Sequence, residues 1–201
     1  MLKSHLLSNV HASEILQYMT KTIYYLCGHG GRITNGLGQA LNARGYDLFG
    51  RETVGEFKSL EFSQQVDLIA NDIEQNFWHE DAQVIANSYG GYLFLHAQAQ
   101  LKPFIGRVML LSPIVGEFSS EEIRMGFIPP YSKRLFELAS QNKYPTPINC
   151  EIHVGSEDWQ SNPSNVTAFA KLLGIKVNIV QNGGHSLPKE YVSTQLDRWL
   201  K

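Results

Sequence analysis

The sequence predicts an α/β fold: three layers, α/β/α, around a mostly parallel sheet of about six strands. Three observations predict it. From Thr22 onward, short apolar runs alternate with longer segments of helical character, the rhythm of βαβ units. The 201 residues suit one domain, residues 1–201, with a sizeable core. Glycine-bearing loops sit beside several of the apolar runs, in Gly28-His29-Gly30-Gly31, Ser88-Tyr89-Gly90-Gly91 and Gly183-Gly184-His185. In an open parallel sheet, such strand-end loops are where ligands bind.

In chain order, the first twenty residues read as one short helix, with Ser13 as a cap before Ile15, Leu16 and Met19. Strands are expected over residues 23–27, 46–49, 83–87, 107–111, 149–154 and 176–180. Helices are expected over 36–44, 63–75, 91–101, 132–140, 164–173 and 189–200. No internal repeat, low-complexity tract or long linker interrupts them. One stretch breaks the rhythm. Residues 113–147 hold more chain than a crossover between two strands requires, with Pro129-Pro130 in the middle and Phe118, Met125, Phe127, Ile128 and Tyr131 around it.

The segment Val84-Ile85-Ala86-Asn87-Ser88-Tyr89-Gly90-Gly91 carries the strongest chemical signal. An apolar strand that turns sharply into a helix strains the turning residue, and small neighbours relieve the crowding. The hydroxyl of Ser88 is then held above the sheet, with the N–H of Tyr89 at a helix N-terminus. Alanine stands at position 86, where the pattern G-x-S-x-G has its first glycine. Read blandly, Ser88 merely caps a helix. A nucleophilic serine needs a base, and the base needs a carboxylate to fix its tautomer. His185 follows the apolar run 175–180 on a glycine loop, and Asp158 follows the strand-like run Ile152-His153-Val154-Gly155. The order Ser88, Asp158, His185 places all three at strand ends. Glu157 is the alternative acid; glycine-x-x-aspartate, Gly155 to Asp158, favours Asp158. His153 and His96 fall inside a strand and a helix and read as structural. Gly28-His29-Gly30-Gly31 lacks the G-x-G-x-x-G spacing, and no Walker lysine follows, so a phosphate loop is a poor fit.

With His29-Gly30, Ser88, Asp158 and His185 in this order, the chain resembles the α/β-hydrolase superfamily from about Thr22 to its C-terminus. Ala86 and the short length resemble those of its small, minimally decorated serine esterases. The resemblance implies a catalytic triad of Ser88, His185 and Asp158, with the backbone N–H groups of Tyr89 and Gly31 as oxyanion donors. His29 and Phe127 are the residues expected to border substrate. There is no room before Thr22 for the opening antiparallel strands of fuller members, so an α/β-hydrolase sheet with reduced N-terminal strands is expected. By the same resemblance, residues 113–147 are expected as a small cap insertion, with 117–131 as an apolar lip over Ser88. Residues wrapping the sheet edge as core fit the sequence equally well.

Composition narrows the rest. A net charge of −2 leaves no electrostatic footprint for nucleic acid, and no apolar run approaches a membrane span. The N-terminus has no extended apolar core and no evident cleavage site, so a cytoplasmic protein is expected. Cys27 and Cys150 read as small core residues and not as a disulfide. No His, Cys or carboxylate pairs stand at metal-ligand spacing, so neither metal nor cofactor is expected. The expected activity is hydrolysis of a small-molecule ester through an acyl-enzyme. A thioesterase, amidase or peptidase using the same triad, or a binding protein that kept the fold, are the alternatives; oligomeric state is not legible.

Overall fold

Six short strands, Thr22–Leu26 (β1), Asp47–Arg51 (β2), Gln83–Asn87 (β3), Arg107–Leu111 (β4), Asn149–Gly155 (β7) and Lys176–Val180 (β8), form one sheet in the order β2-β1-β3-β4-β7-β8. Every pair in it is parallel. The computed structural model describes residues 22–120 and 124–201. The helix expected over the first twenty residues lies outside them.

Side chains alternate across a strand, so a strand buried on both faces must be apolar at successive positions. The central strands meet that demand. Tyr24, Leu26, Val84, Ala86, Val108, Leu110, Ile152 and Val154 pack on one face. Covering them are Phe62–Asn76 (α3), Tyr89–Gln98 (α4), Arg134–Ser140 (α5) and Pro163–Leu173 (α6), through Ile69, Ile73, Leu93, Leu135 and Phe169 among others. On the other face, Ile23, Tyr25, Cys27, Ile85, Met109 and Leu111 meet Leu41 of Leu37–Asn42 (α1) and Leu196 and Trp199 of Lys189–Trp199 (α7). The result is three layers, as the sequence predicts.

Local signals set the helix ends. A capping box joins Glu61 and Gln64 at the start of α3. Asn162 accepts from the N–H groups of Ser164 and Asn165 at the start of α6, Pro163 opens that helix, and Gly174 ends it at φ 67°. A short helix, Gly55–Ser59 (α2), lies between β2 and α3. Cys27 and Cys150 are both free thiols. Among the described residues, no helix is long and apolar enough to cross a membrane.

The extra chain after β4 carries an antiparallel pair absent from the sequence expectation: Phe118–Ser120 (β5) with Met125–Phe127 (β6), Phe118 opposite Phe127. Ile114, Val115, Leu135 and Ala139 from this stretch are buried in the core, whereas Met125, Phe127, Ile128 and Tyr131 are exposed.

Candidate active site

The register aligns the carboxyl ends of the strands along one rim. Leu26 is level with Ala86, Asn87 with Leu111, Leu111 with His153, and Gly155 with Val180. The loops leaving that rim carry the residues singled out in the sequence.

Ser88 caps α4 with φ 53° and ψ −121°, a backbone conformation that a residue with a Cβ seldom adopts. Several backbone hydrogen bonds hold it there. Its N–H donates to the Leu111 carbonyl at 3.0 Å, and its own carbonyl accepts from Tyr92 and Ile114, each at 3.2 Å. The following turn is tight: a Cβ on Gly90 would lie 2.3 Å from the Leu26 carbonyl oxygen and 2.5 Å from that of Cys27. Only glycine lets α4 start so close to the end of β1.

Ser88 Oγ lies 2.8 Å from His185 Nε2. On the far side of the ring, His185 Nδ1 is 3.0 Å from each carboxylate oxygen of Asp158. The Asp158 side chain is fully buried and that of His185 is 21% exposed, so the hydrogen-bonded chain runs from the interior outward. Backbone N–H groups of Gln160 and Ser161 donate to Asp158 Oδ1 at 3.0 and 2.8 Å, which fixes the carboxylate in place. The His185 loop is seated against the loop that leaves β7, where the Glu157 N–H donates to the Gly183 carbonyl at 2.8 Å. Glu157 itself faces solvent.

The remaining expected residues divide. Tyr89 is the first residue of α4, where the helix leaves its N–H without a helical partner. Gly31 departs from expectation. Its N–H donates to the Gly28 carbonyl at 2.9 Å and to Thr53 Oγ1 at 3.0 Å, so this amide is already committed. His29 is exposed, its ring set edge-on to Tyr89 at 5.9 Å. Phe127 packs on Phe118 at 5.6 Å and is 45% exposed. His153 is buried, with Nδ1 2.7 Å from the Tyr191 hydroxyl and Nε2 3.2 Å from Glu151; burial pushes its pKa down. His96 is buried in α4 beside Tyr92 and Phe62. Among the described residues, no group of three or more His, Cys, Asp or Glu side chains is placed to hold a metal ion.

Thr53, and Trp159 next to Asp158, are the neighbours that sequence reasoning missed. Neither belongs to a recognisable motif, and each acts through contacts distant in the chain.

No protein-family model and no curated protein sequence matches the chain. Solved structures do. A monoacylglycerol lipase from Paleococcus ferrophilus superposes with a TM-score of 0.65 at 12% identity, covering 89% of this chain and 93% of that one. A lipase-esterase related protein from Clostridium acetobutylicum gives 0.63 at 14% identity, covering 89% and 94%. The ydeN gene product from B. subtilis gives 0.61 at 16% identity, covering 89% and 98%.

The chain has the α/β-hydrolase fold. The site residues sit where ligand sites of open α/β sheets lie, outside the carboxyl ends of the strands. Within that fold, Ser88 follows β3, Asp158 follows β7 and His185 follows β8, while β4 lies between β3 and β7 in the sheet.

Proposed function

We propose that this protein is a serine hydrolase that cleaves a small-molecule carboxylic ester. The observation that carries the reading is the hydrogen-bonded chain Ser88–His185–Asp158, anchored on a strained strand-to-helix turn. A serine that merely caps its helix would turn its oxygen to a nearby backbone N–H; Ser88 makes no such side-chain cap.

In this reading His185 Nε2 takes the Ser88 hydroxyl proton as Oγ attacks the substrate carbonyl. Asp158 holds the proton of Nδ1 and stabilises the imidazolium that forms. The tetrahedral oxyanion is met by the Tyr89 N–H and by a second amide of the Gly28–Gly31 loop. His185 then gives its proton to the departing alkoxide, leaving an acyl-enzyme on Ser88. Water enters, loses a proton to the same histidine, and releases the acid and the free serine.

A fluorophosphonate probe tests the reading directly. Wild type should label, Ser88→Ala should not, and His185→Ala should label far more slowly. Turnover of short acyl esters should fall by on the order of 10⁴–10⁶ in either variant. Ready turnover of thioesters or amides in place of esters would move the substrate class while keeping the site. A folded wild type that neither labels nor hydrolyses any of them overturns the reading and leaves a binding protein.

A further inference from the structure

Thr53 is almost fully buried just past the end of β2, yet it lies among the backbone groups of the glycine loop that follows β1. Its hydroxyl donates to the Gly28 carbonyl and accepts the Gly31 N–H at 3.0 Å. The Gly31 N–H also reaches the Gly28 carbonyl, at 2.9 Å. Two donors therefore converge on one carbonyl oxygen. Cys27 fills the space behind them, with Sγ 3.9 Å from Thr53 Oγ1, and burial pushes its thiol pKa up, so it stays uncharged.

We infer that Thr53 is a positioning residue: it locks the Gly28–His29 peptide so that the His29 N–H, and not that of Gly31, is the second oxyanion donor beside Tyr89. This rests on the serine-hydrolase reading above. Among the described residues no peptide is cis, and in a trans peptide the C=O and the following N–H point in opposite directions. With the Gly28 carbonyl held toward Thr53, the His29 N–H is turned the other way. Ser88 packs against Gly28 itself. A Cβ built on Gly28 would lie 3.2 Å from Ser88 Cβ and 3.6 Å from Ser88 Oγ. No hydrogen bond from the His29 N–H to another group is formed among the described residues, in contrast to Gly31.

Thr53 adds to the backbone's own resistance to a flip. Gly28 has no Cβ, so its ψ turns at little steric cost, while the φ of His29, which is not positive in the structure, would have to move toward the left-handed region. The flipped peptide would aim the Gly28 carbonyl at the developing oxyanion, and a stabilising dipole would become a repelling one. In the flipped state the buried Thr53 hydroxyl would lose its acceptor, a cost that holds the productive orientation.

The test pairs two kinds of measurement on the full chain. In kinetics with a short acyl ester, Thr53→Val removes the hydroxyl at nearly constant shape, and kcat should fall by on the order of 10- to 100-fold, part of the cost of losing one oxyanion donor. KM should hold, and Thr53→Ser should restore kcat. Thr53→Ala replaces the valine arm if valine prevents folding. Equal kcat in folded wild type and hydroxyl-free variants overturns the inference. So does an equal loss of kcat and melting temperature in Val, Ala and Ser alike, which is the mark of a merely structural residue.

The second measurement needs no variant. An alkyl boronic acid forms a tetrahedral adduct with an activated serine, and amide NMR of the wild type should then show downfield shifts at Tyr89 and His29, with Gly31 unmoved. A shift at Gly31 in place of His29 overturns the inference. Wild type that binds neither the boronic acid nor the fluorophosphonate fails the parent reading instead.

Discussion

Trp159 meets the ring of Phe118 edge-on, 5.6 Å between centroids at 70°. Phe118 in turn packs on Phe127 across the β5–β6 pair. The residue next to the buried carboxylate of Asp158 is thus in aromatic contact with the strand pair that carries the exposed Met125 and Phe127. On the proposed ester-hydrolase reading, these exposed apolar side chains are the candidates for contact with an acyl chain.

Phe127→Glu puts a charge at the most informative point of that surface. Because Phe127 is 45% exposed, the melting temperature should barely move, within the ~0.5 kcal/mol typical of surface changes. Turnover of longer acyl esters should drop relative to acetate esters. A large loss of melting temperature with an unchanged substrate range would place Phe127 in the core-wrapping role.

Asp158 and Glu157 can be separated by amide substitution. Asp158→Asn keeps the shape but lets the side chain donate to Nδ1, which favours the wrong imidazole tautomer. Turnover should fall by on the order of 10⁴. Glu157→Gln should retain near wild-type turnover, since this side chain faces solvent. Comparable losses in both would contradict the assignment.

Gly90→Ala tests how tightly the elbow is packed. The new methyl would meet two backbone carbonyls, at 2.3 and 2.5 Å, and neither can rotate away. We expect a stability loss of at least about 1–3 kcal/mol in chemical denaturation, with slower probe labelling as Tyr89 shifts. Unchanged stability would mean that α4 and β1 separate easily.

His96 predicts a pH effect on stability. Its Nε2 is buried without a hydrogen-bond partner among the described residues, and burial, aided by the Arg134 charge, pushes its pKa down to about 4. The unfolded chain takes up this proton near pH 6.5, the folded one only near 4. Stability from this site is therefore lost as pH falls through that window, by up to about 3 kcal/mol. His96→Phe should flatten the fall between pH 6.5 and 4 in denaturant titrations. An identical slope in the variant would assign the acid sensitivity elsewhere.

Much of this was legible in the sequence, for a physical reason. β3 and β4 coincide with the expected runs because a strand buried on both faces must be apolar without interruption; β8 coincides as well, although it is an edge strand with Lys176 and Ile179 exposed. Ser88, Asp158 and His185 stood out as candidates because Ser88 directly follows β3 and the other two lie on the short loops just past β7 and β8. α4 begins at Tyr89, two residues before the expected start, because Gly90 and Gly91 oppose helix by propensity and packing overrides them. The β5–β6 pair escaped notice as two three-residue strands, too short to leave a period. The commitment of Gly31 was hidden as well. It depends on a hydroxyl 22 positions away, and a glycine-rich sequence does not record which way its amides turn.

The backbone at Ser88 has one last consequence, for which atoms can do chemistry here. At φ 53° and ψ −121° a second heavy atom on Cβ crowds the main chain, so an unbranched side chain is demanded. Threonine, though it carries the same hydroxyl, should be a poor exchange for serine at this position. Cysteine keeps the unbranched shape and offers sulfur in place of oxygen. Ser88→Cys should fold and react with thiol-directed alkylating agents, and Ser88→Thr should lose activity through geometry alone. The turn thereby narrows which side chains this position can carry, whatever chemistry they do.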